Sequence, residues 1–110
     1  MTTVPVKTFY DAQDARYQSL NTIIIHTEVA DIETSILTEV QAGNLSVKVD
    51  GGTPMTSNVS YYNAYYGVTN DPAKVAELQT VEQHFYNLGY NIRLNTNTTT
   101  DNTLVWNVNW

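Results

Sequence analysis

The sequence predicts an α+β fold, with a long N-terminal helix followed by a small antiparallel sheet of about three strands packed against a second helix. Three observations lead to this prediction. Apolar residues recur at helical spacing over residues 11–42 and again over residues 72–88. The end of the chain alternates apolar and polar residues with period two, which is typical of strands. With 110 residues and no cysteine, the chain is long enough to build one core without disulfides.

The chain is expected to form one compact domain with three parts. Residues 1–10 are predicted to be an extended arm, residues 11–43 a long helical segment, and residues 44–110 a small α+β unit. Pro5 disfavours helix at its neighbour, and the residues around it favour extended structure. An arm of this kind either frays or docks on a neighbouring subunit.

The first helix is predicted over residues 11–42. Its apolar residues follow one stripe at spacings of three, four and five, and they are Leu20, Ile24 or Ile25, Val29, Ile32, Ile36 and Val40. Gly43 follows the last of them as a C-terminal stop. The predicted helix is long for a globular protein. The β-branched residues from Thr22 to Ile25 weaken it, so a break near Asn21 and Thr22 is the alternative.

A strand and a short helix are predicted next. Residues 45–49 alternate with period two, which places Leu45, Val47 and Val49 on the inward face of a strand. Asp-Gly-Gly at residues 50–52 then makes a turn. Ser57 is expected to cap a helix that runs through Tyr66 and ends before Gly67. On that helix Tyr61 and Tyr65 share one face, and Tyr62 and Tyr66 share another, so burial of one pair and exposure of the other is expected. The alternative for this segment is a strand.

The second main helix has the clearest boundaries. Asp71 is a favourable N-cap and Pro72 fits the first helical position. Gly89 is expected to end the helix in a left-handed conformation, with Tyr90 packing on Phe85 in a Schellman motif. The predicted buried stripe comprises Val75, Leu78, Val81, Phe85 and Leu88.

Two strands are predicted to close the chain as a hairpin with a polar loop over residues 95–102. The inward face of the first is expected to hold Tyr90, Ile92 and Leu94, and that of the second Leu104, Trp106, Val108 and Trp110. The opposite face is expected to carry Asn91, Arg93, Asn107 and Asn109. If Trp106 and Trp110 were exposed they would form a platform for a sugar ring, but the apolar residues in phase with them favour the core.

Charge and composition narrow the classes of function. Five basic residues face eleven acidic ones, and the five are scattered along the sequence, so nucleic acid is not an expected partner. The longest apolar run, residues 23–25, is far below the roughly 20 residues of a membrane span, and no apolar leader is present near the start. His26 and His84 lack the convergent partners of a metal or catalytic site. We expect no enzymatic activity, metal, cofactor or small-molecule substrate.

Two stretches resemble a group of small virion proteins encoded by tailed phages, especially cyanophages. They are TPMTSNVSYYNAYYG at residues 53–67 and LGYNIRLNTNTTTDNTLVWNVNW at residues 88–110. The resemblance rests on Met55-Thr56, Tyr61-Tyr62, Leu88-Gly89-Tyr90 and the strand from Trp106 to Trp110. It implies a structural subunit located in the virion, either a capsid decoration protein or a component of neck, tail or baseplate. It implies contacts with other virion proteins and supplies no catalytic residues.

The residues also favour contacts with protein. The chain contains eight tyrosines, and protein interfaces are enriched in tyrosine and depleted in lysine and glutamate. A polar, β-favouring surface is the other interpretation of this composition. The long helix carries more apolar residues than a small sheet covers, which predicts that a neighbouring copy of the chain or another virion protein covers the remainder. The expected interface comprises Val4, Val6, Phe9, Tyr10, Ile23, Ile25, Tyr61 and Tyr65. The alternative function is a carbohydrate- or host-surface-binding module that uses exposed tryptophan or tyrosine.

Overall fold

The computed structural model describes residues 20–97 and 102–110, which form three helices and three strands. These elements are α1 (Thr22–Gln41), β1 (Ser46–Asp50), α2 (Val59–Tyr65), α3 (Pro72–Asn87), β2 (Asn91–Asn97) and β3 (Thr103–Asn109). The predicted arm at residues 1–10 and the start of the predicted helical segment lie outside the described residues. The fold is α+β, as predicted.

The sheet is antiparallel, with β3 between β1 and β2. In the register, Trp106 pairs with Val49 on one side and with Leu94 on the other. The three helices pack on the face that carries these residues, with α1 against β1, α2 against β3 and α3 against β2. Trp106 is fully buried there, which confirms its predicted place in the core.

Helix α1 begins at Thr22, beside the β-branched cluster, so the prediction of one helix over residues 11–42 is wrong at Leu20 and Asn21, which are not helical. The Asn21 side chain caps the helix by accepting from the N–H of Ile24. The backbone N–H of Asn21 donates to Glu77 of α3 at 3.0 Å, which fixes the start of α1 against α3. The face of α1 that packs in the core carries Ile25, Glu28, Ile32 and Ile36.

Helix α3 has the predicted cap and the predicted ending. Asp71 is its N-cap, and Gly89 has a φ of +92°. The N–H of Tyr90 donates to the carbonyl of Phe85 at 3.0 Å and the N–H of Gly89 donates to that of Tyr86 at 3.0 Å, which defines a Schellman motif. The rings of Phe85 and Tyr90 lie 6.0 Å apart, so the expected apolar contact is confirmed.

The structure contradicts several predictions about individual side chains. Leu45 precedes β1 and is exposed, because the strand begins one residue later. Leu88 is the C-cap of α3 and is also exposed, because it lies beyond the last turn that contacts the sheet. The tyrosines of α2 are not buried as pairs: Tyr61 is buried, whereas Tyr65 and Tyr66 are exposed. Helix α2 is short and packs on α3 along one side, so Tyr61 is covered and Tyr65, one turn later, is not. The N-cap of α2 is Asn58 rather than the predicted Ser57.

Candidate functional site

An apolar groove opens between the C-terminal ends of α1 and α3, and we call it the α1–α3 groove. It has a volume of about 410 Å³. Helix α1 contributes Ile36, Leu37 and Val40 to its lining, and Glu33 lies beside them. The end of α3 and the first residues after it contribute Phe85, Leu88 and Tyr90.

The local sequence explains why both helices end beside this groove. Helix α1 ends as α3 does, with a glycine at positive φ: Gly43 has a φ of +84°, and the N–H of Asn44 donates to the carbonyl of Glu39 at 2.9 Å. These endings turn the chain away immediately after the last apolar residues. Val40 in the last turn of α1 and Leu88 at the C-cap of α3 are therefore left partly uncovered.

Aromatic rings form one side of the groove. Tyr90 contacts Phe85 edge-to-face and also contacts Trp110 at 6.0 Å between ring centroids. The backbone N–H of Trp110 donates to the carbonyl of Leu45 at 3.1 Å, which holds the end of the chain beside β1. Such packed rings provide a rigid apolar surface at little cost in conformational entropy.

The outer part of the groove is exposed hydrocarbon. Leu37, Val40 and Leu88 are 56%, 48% and 59% exposed. Contiguous apolar surface of this kind is typical of protein-protein contact sites. The ionisable groups in the lining are the carboxylate of Glu33 and the phenol of Tyr90. The groove is thus suited to hold apolar side chains of a partner.

A second surface carries clustered tyrosines at the end of α2, and we call it the tyrosine cluster. Tyr66 contacts Tyr62 at 4.9 Å and Tyr65 at 5.0 Å between ring centroids. Burial, followed by the nearby charge of Glu82, raises the pKa of Tyr65. A shallow cleft of about 480 Å³, lined by Ala64 and the residues that lead into α3, opens beside the cluster.

A third feature is a buried carboxylate, which we assign a structural role. Glu28 of α1 is fully buried, and its Oε2 accepts from Thr53 Oγ1 at 2.5 Å and from Trp106 Nε1 at 2.8 Å. Its Oε1 accepts from the N–H of Met55 at 3.0 Å. Burial raises the pKa of Glu28 in spite of these hydrogen bonds. The carboxylate joins α1, the segment after β1, and β3, and it has no exposure to a solvent-borne substrate.

The residues predicted for the interface divide into three groups. Val4, Val6, Phe9 and Tyr10 lie outside the described residues. Ile23 and Tyr65 are exposed. For Ile25 and Tyr61 the prediction is wrong, because they are 6% and 3% exposed and belong to the core. Ile25 follows the same stripe as Ile32, and Tyr61 faces α3, where its hydroxyl donates to Glu77 at 2.7 Å.

The periodicity of the two helices predicts that Val40 and Leu88 are buried, and this prediction is wrong for both, because they are 48% and 59% exposed. Val40 lies three residues before Gly43 and Leu88 lies immediately before Gly89, and this closeness to a terminating glycine is the signal that marks them as helix-end residues. Glu28 was missed as a core residue, although it falls between Ile25 and Ile32 in the buried stripe. An acidic residue in the phase of a buried stripe is a sequence signal for a buried polar network.

Within residues 20–97 and 102–110, there is no group of three side chains placed to hold a metal ion. In the same part of the chain, no helix combines the length and apolar content of a membrane span. No protein-family model matches the chain, and neither a curated protein nor a solved structure matches it.

Proposed function

We propose that this protein is a non-enzymatic structural subunit of a phage virion that acts through protein-protein contacts. Its place is on the capsid as a decoration protein, or in the neck, tail or baseplate. The observation that carries the proposal is the α1–α3 groove, whose exposed leucines and valine are suited to contact a partner surface. The resemblance of residues 53–67 and 88–110 to small phage virion proteins supplies the biological setting.

The physical basis of the contact is burial of the groove. Covering apolar surface contributes roughly 25 cal/mol per Å². Three half-exposed aliphatic side chains beside packed rings therefore make a compact centre of the kind that dominates interface energies. Association also has an entropic cost, so a groove of this size contributes most when other contacts hold the subunit on the particle.

The test is mass spectrometry of purified particles, with copy number, for wild type and two variants. Leu88→Glu places a charge in the groove, whereas Val59→Glu adds the same charge at a residue that is 49% exposed and outside the groove. We expect wild type and Val59→Glu at the same fixed copy number, and Leu88→Glu to be absent from particles although it folds. Particles that lack the wild-type protein would contradict the proposal.

The tyrosine cluster favours a second candidate, a carbohydrate- or host-surface-binding module. Exposed rings beside a cleft suit stacking against a sugar, although Trp106 cannot contribute because it is buried. Binding of the isolated protein to a glycan array or to host cells, lost in Tyr66→Ala, supports this candidate. Equal binding by wild type and Tyr66→Ala excludes the cluster as the binding site.

A further inference from the structure

The outer face of α1 carries a repeat that its own fold does not use, and we call it the α1 seam. Starting at Ile23, exposed residues follow at alternating steps of four and three. This is the spacing of positions a and d in a coiled coil. The seam consists of Ile23, Thr27, Ala30, Thr34, Leu37 and Gln41, and all six are exposed.

The seam is uncharged, which is unusual for the solvent side of a surface helix. The seam begins at Ile23, which is 77% exposed and is the most exposed large apolar residue of the described chain. The charged groups of the helix lie elsewhere: Glu28 is in the core, and Asp31, Glu33 and Glu39 lie outside the repeat.

The hydroxyl groups of the two seam threonines already donate hydrogen bonds to backbone carbonyls of the same helix. Thr27 Oγ1 donates to the carbonyl of Ile23 at 3.0 Å, and Thr34 Oγ1 donates to the carbonyl of Ala30 at 3.0 Å. Burying them against another helix therefore leaves no hydroxyl donor unpaired. Small side chains at the middle of the seam also allow a close approach of two helix backbones.

We propose that a second copy of this chain packs its own α1 on the α1 seam, parallel and in register. The inference rests on the proposed function for the premise that the chain works through protein contacts, and it names the partner and the surface. In this pairing, Ile23 meets Ile23 of the second copy, and the same holds for Ala30 and Leu37. The α1–α3 groove remains available to a different virion protein, except at Leu37.

The flanking charges select the parallel orientation. With Ile23, Ala30 and Leu37 at d positions, His26 and Glu33 occupy g positions, and Asp31 and Thr38 occupy e positions. A parallel pair brings each g residue of one copy close to the following e residue of the other copy. The imidazole of His26 then lies beside the carboxylate of Asp31 in the second copy, and Glu33 lies beside its Thr38. An antiparallel pair centred on the seam places the two Glu33 carboxylates close together, and also the two Asp31 carboxylates. The repulsion between these like charges disfavours the antiparallel orientation.

The expected association is weak. Helix α1 has 20 residues and is therefore about 30 Å long. A single helix pair of that length falls near or below the roughly 1,200 Å² of total buried surface that separates stable from transient interfaces. The test must therefore use high protein concentration or trap the pair covalently.

Single cysteine variants provide the orientation test, because the chain has no cysteine of its own. In a parallel pair in register, Leu37→Cys forms a disulfide with its own copy under mild oxidation. In an antiparallel pair centred on the seam, the two residues lie about 15 Å apart along the axis and cannot be bridged. Thr69→Cys, at an exposed loop residue, is the control for random collision. We expect Leu37→Cys to cross-link at least tenfold faster than Thr69→Cys.

Sedimentation equilibrium on the full chain gives an independent readout. Ala30→Leu enlarges the centre of the seam and should tighten dimerisation, whereas Ala30→Glu should abolish it with the fold intact. Gln79→Glu adds the same charge at an exposed residue of α3 and should leave dimerisation unchanged. Monomeric wild type and Ala30→Leu at high concentration, with Leu37→Cys and Thr69→Cys cross-linking at equal rates, would overturn the inference. A wild-type dimer that is lost in Ala30→Glu upholds the inference even if particles lack the protein, which removes only the proposed function.

Discussion

Replacing Glu28 by glutamine changes one atom at the junction of α1, the segment after β1, and β3. The carboxylate accepts three hydrogen bonds, from Thr53, Met55 and Trp106. A glutamine keeps one carbonyl oxygen and replaces the other oxygen with an N–H₂ group. With the carbonyl oxygen towards Trp106, the new donor faces the N–H of Met55, and two donors meet in the core.

The structure sets the size of the effect. A buried donor left without an acceptor costs about 1–3 kcal/mol, which is the destabilisation expected for Glu28→Gln. Glu28→Ala removes the acceptor of both Met55 and Trp106 and leaves a void, so we expect about 3–5 kcal/mol. Thr53 retains a partner in either variant, because its hydroxyl lies 2.5 Å from that of Thr56. Glu33→Gln, at an exposed residue of the same helix, should stay within about 0.5 kcal/mol of wild type.

The assay is urea denaturation followed by tryptophan fluorescence at several pH values. Burial raises the pKa of Glu28 above its ordinary value of 4.5, so the folded protein keeps a proton that the unfolded chain has already released. The stability from this group is therefore fully present below pH 4.5 and falls as the pH rises through the raised pKa. Glutamine has no proton to lose, so the advantage of wild type over Glu28→Gln should be larger near pH 4.5 than at neutral pH.

Two outcomes would refute this reasoning. An advantage of wild type that grows as the pH rises would mean that the three hydrogen bonds outweigh burial and lower the pKa. Equal stability of wild type, Glu28→Gln and Glu28→Ala at every pH would mean that the carboxylate does not hold the three segments together.

Two further predictions test the core and a helix ending. Trp106→Ala should lower the free energy of unfolding by about 3–5 kcal/mol because it empties the centre of the sheet and removes a donor to Glu28; an unchanged urea midpoint would exclude Trp106 from the core. Gly89→Val should cost about 1–2 kcal/mol, measured by thermal denaturation, because a β-branched residue resists the positive φ of this position. Gly52→Val is its control, since Gly52 has open space around it and no positive φ; equal losses in the two variants would contradict the Schellman ending.

Local features of this protein could be predicted from its sequence because their causes lie within a few residues. A helix that must satisfy its last carbonyls ends at a glycine, and Gly43, Gly67 and Gly89 all have positive φ. Asp71 and Pro72 define the start of α3 in the same local way. Alternation with period two predicted that Trp106 and its neighbours in phase would lie in the core, and the buried face of β3 confirms it.

The candidate site was not predictable in this way. The α1–α3 groove joins the ends of two helices that are distant in sequence, and the exposure of Val40 and Leu88 depends on where each helix leaves the sheet. The α1 seam was hidden for a related reason. Ile23 and Ile25 look equivalent in the sequence, and only the orientation of α1 on the sheet places one outside and the other inside.

The sequence by itself determined the glycine endings of the helices, the start of α3 and the inward face of the closing hairpin, because hydrogen bonds and side-chain periodicity within each segment govern these. Only the tertiary structure decided which groups donate to the Glu28 carboxylate and that Leu45 is exposed. The partners of Glu28 lie 25, 27 and 78 residues away along the chain. A contact over such separations forms only after the helices and the sheet have packed together, so no local pattern carries it.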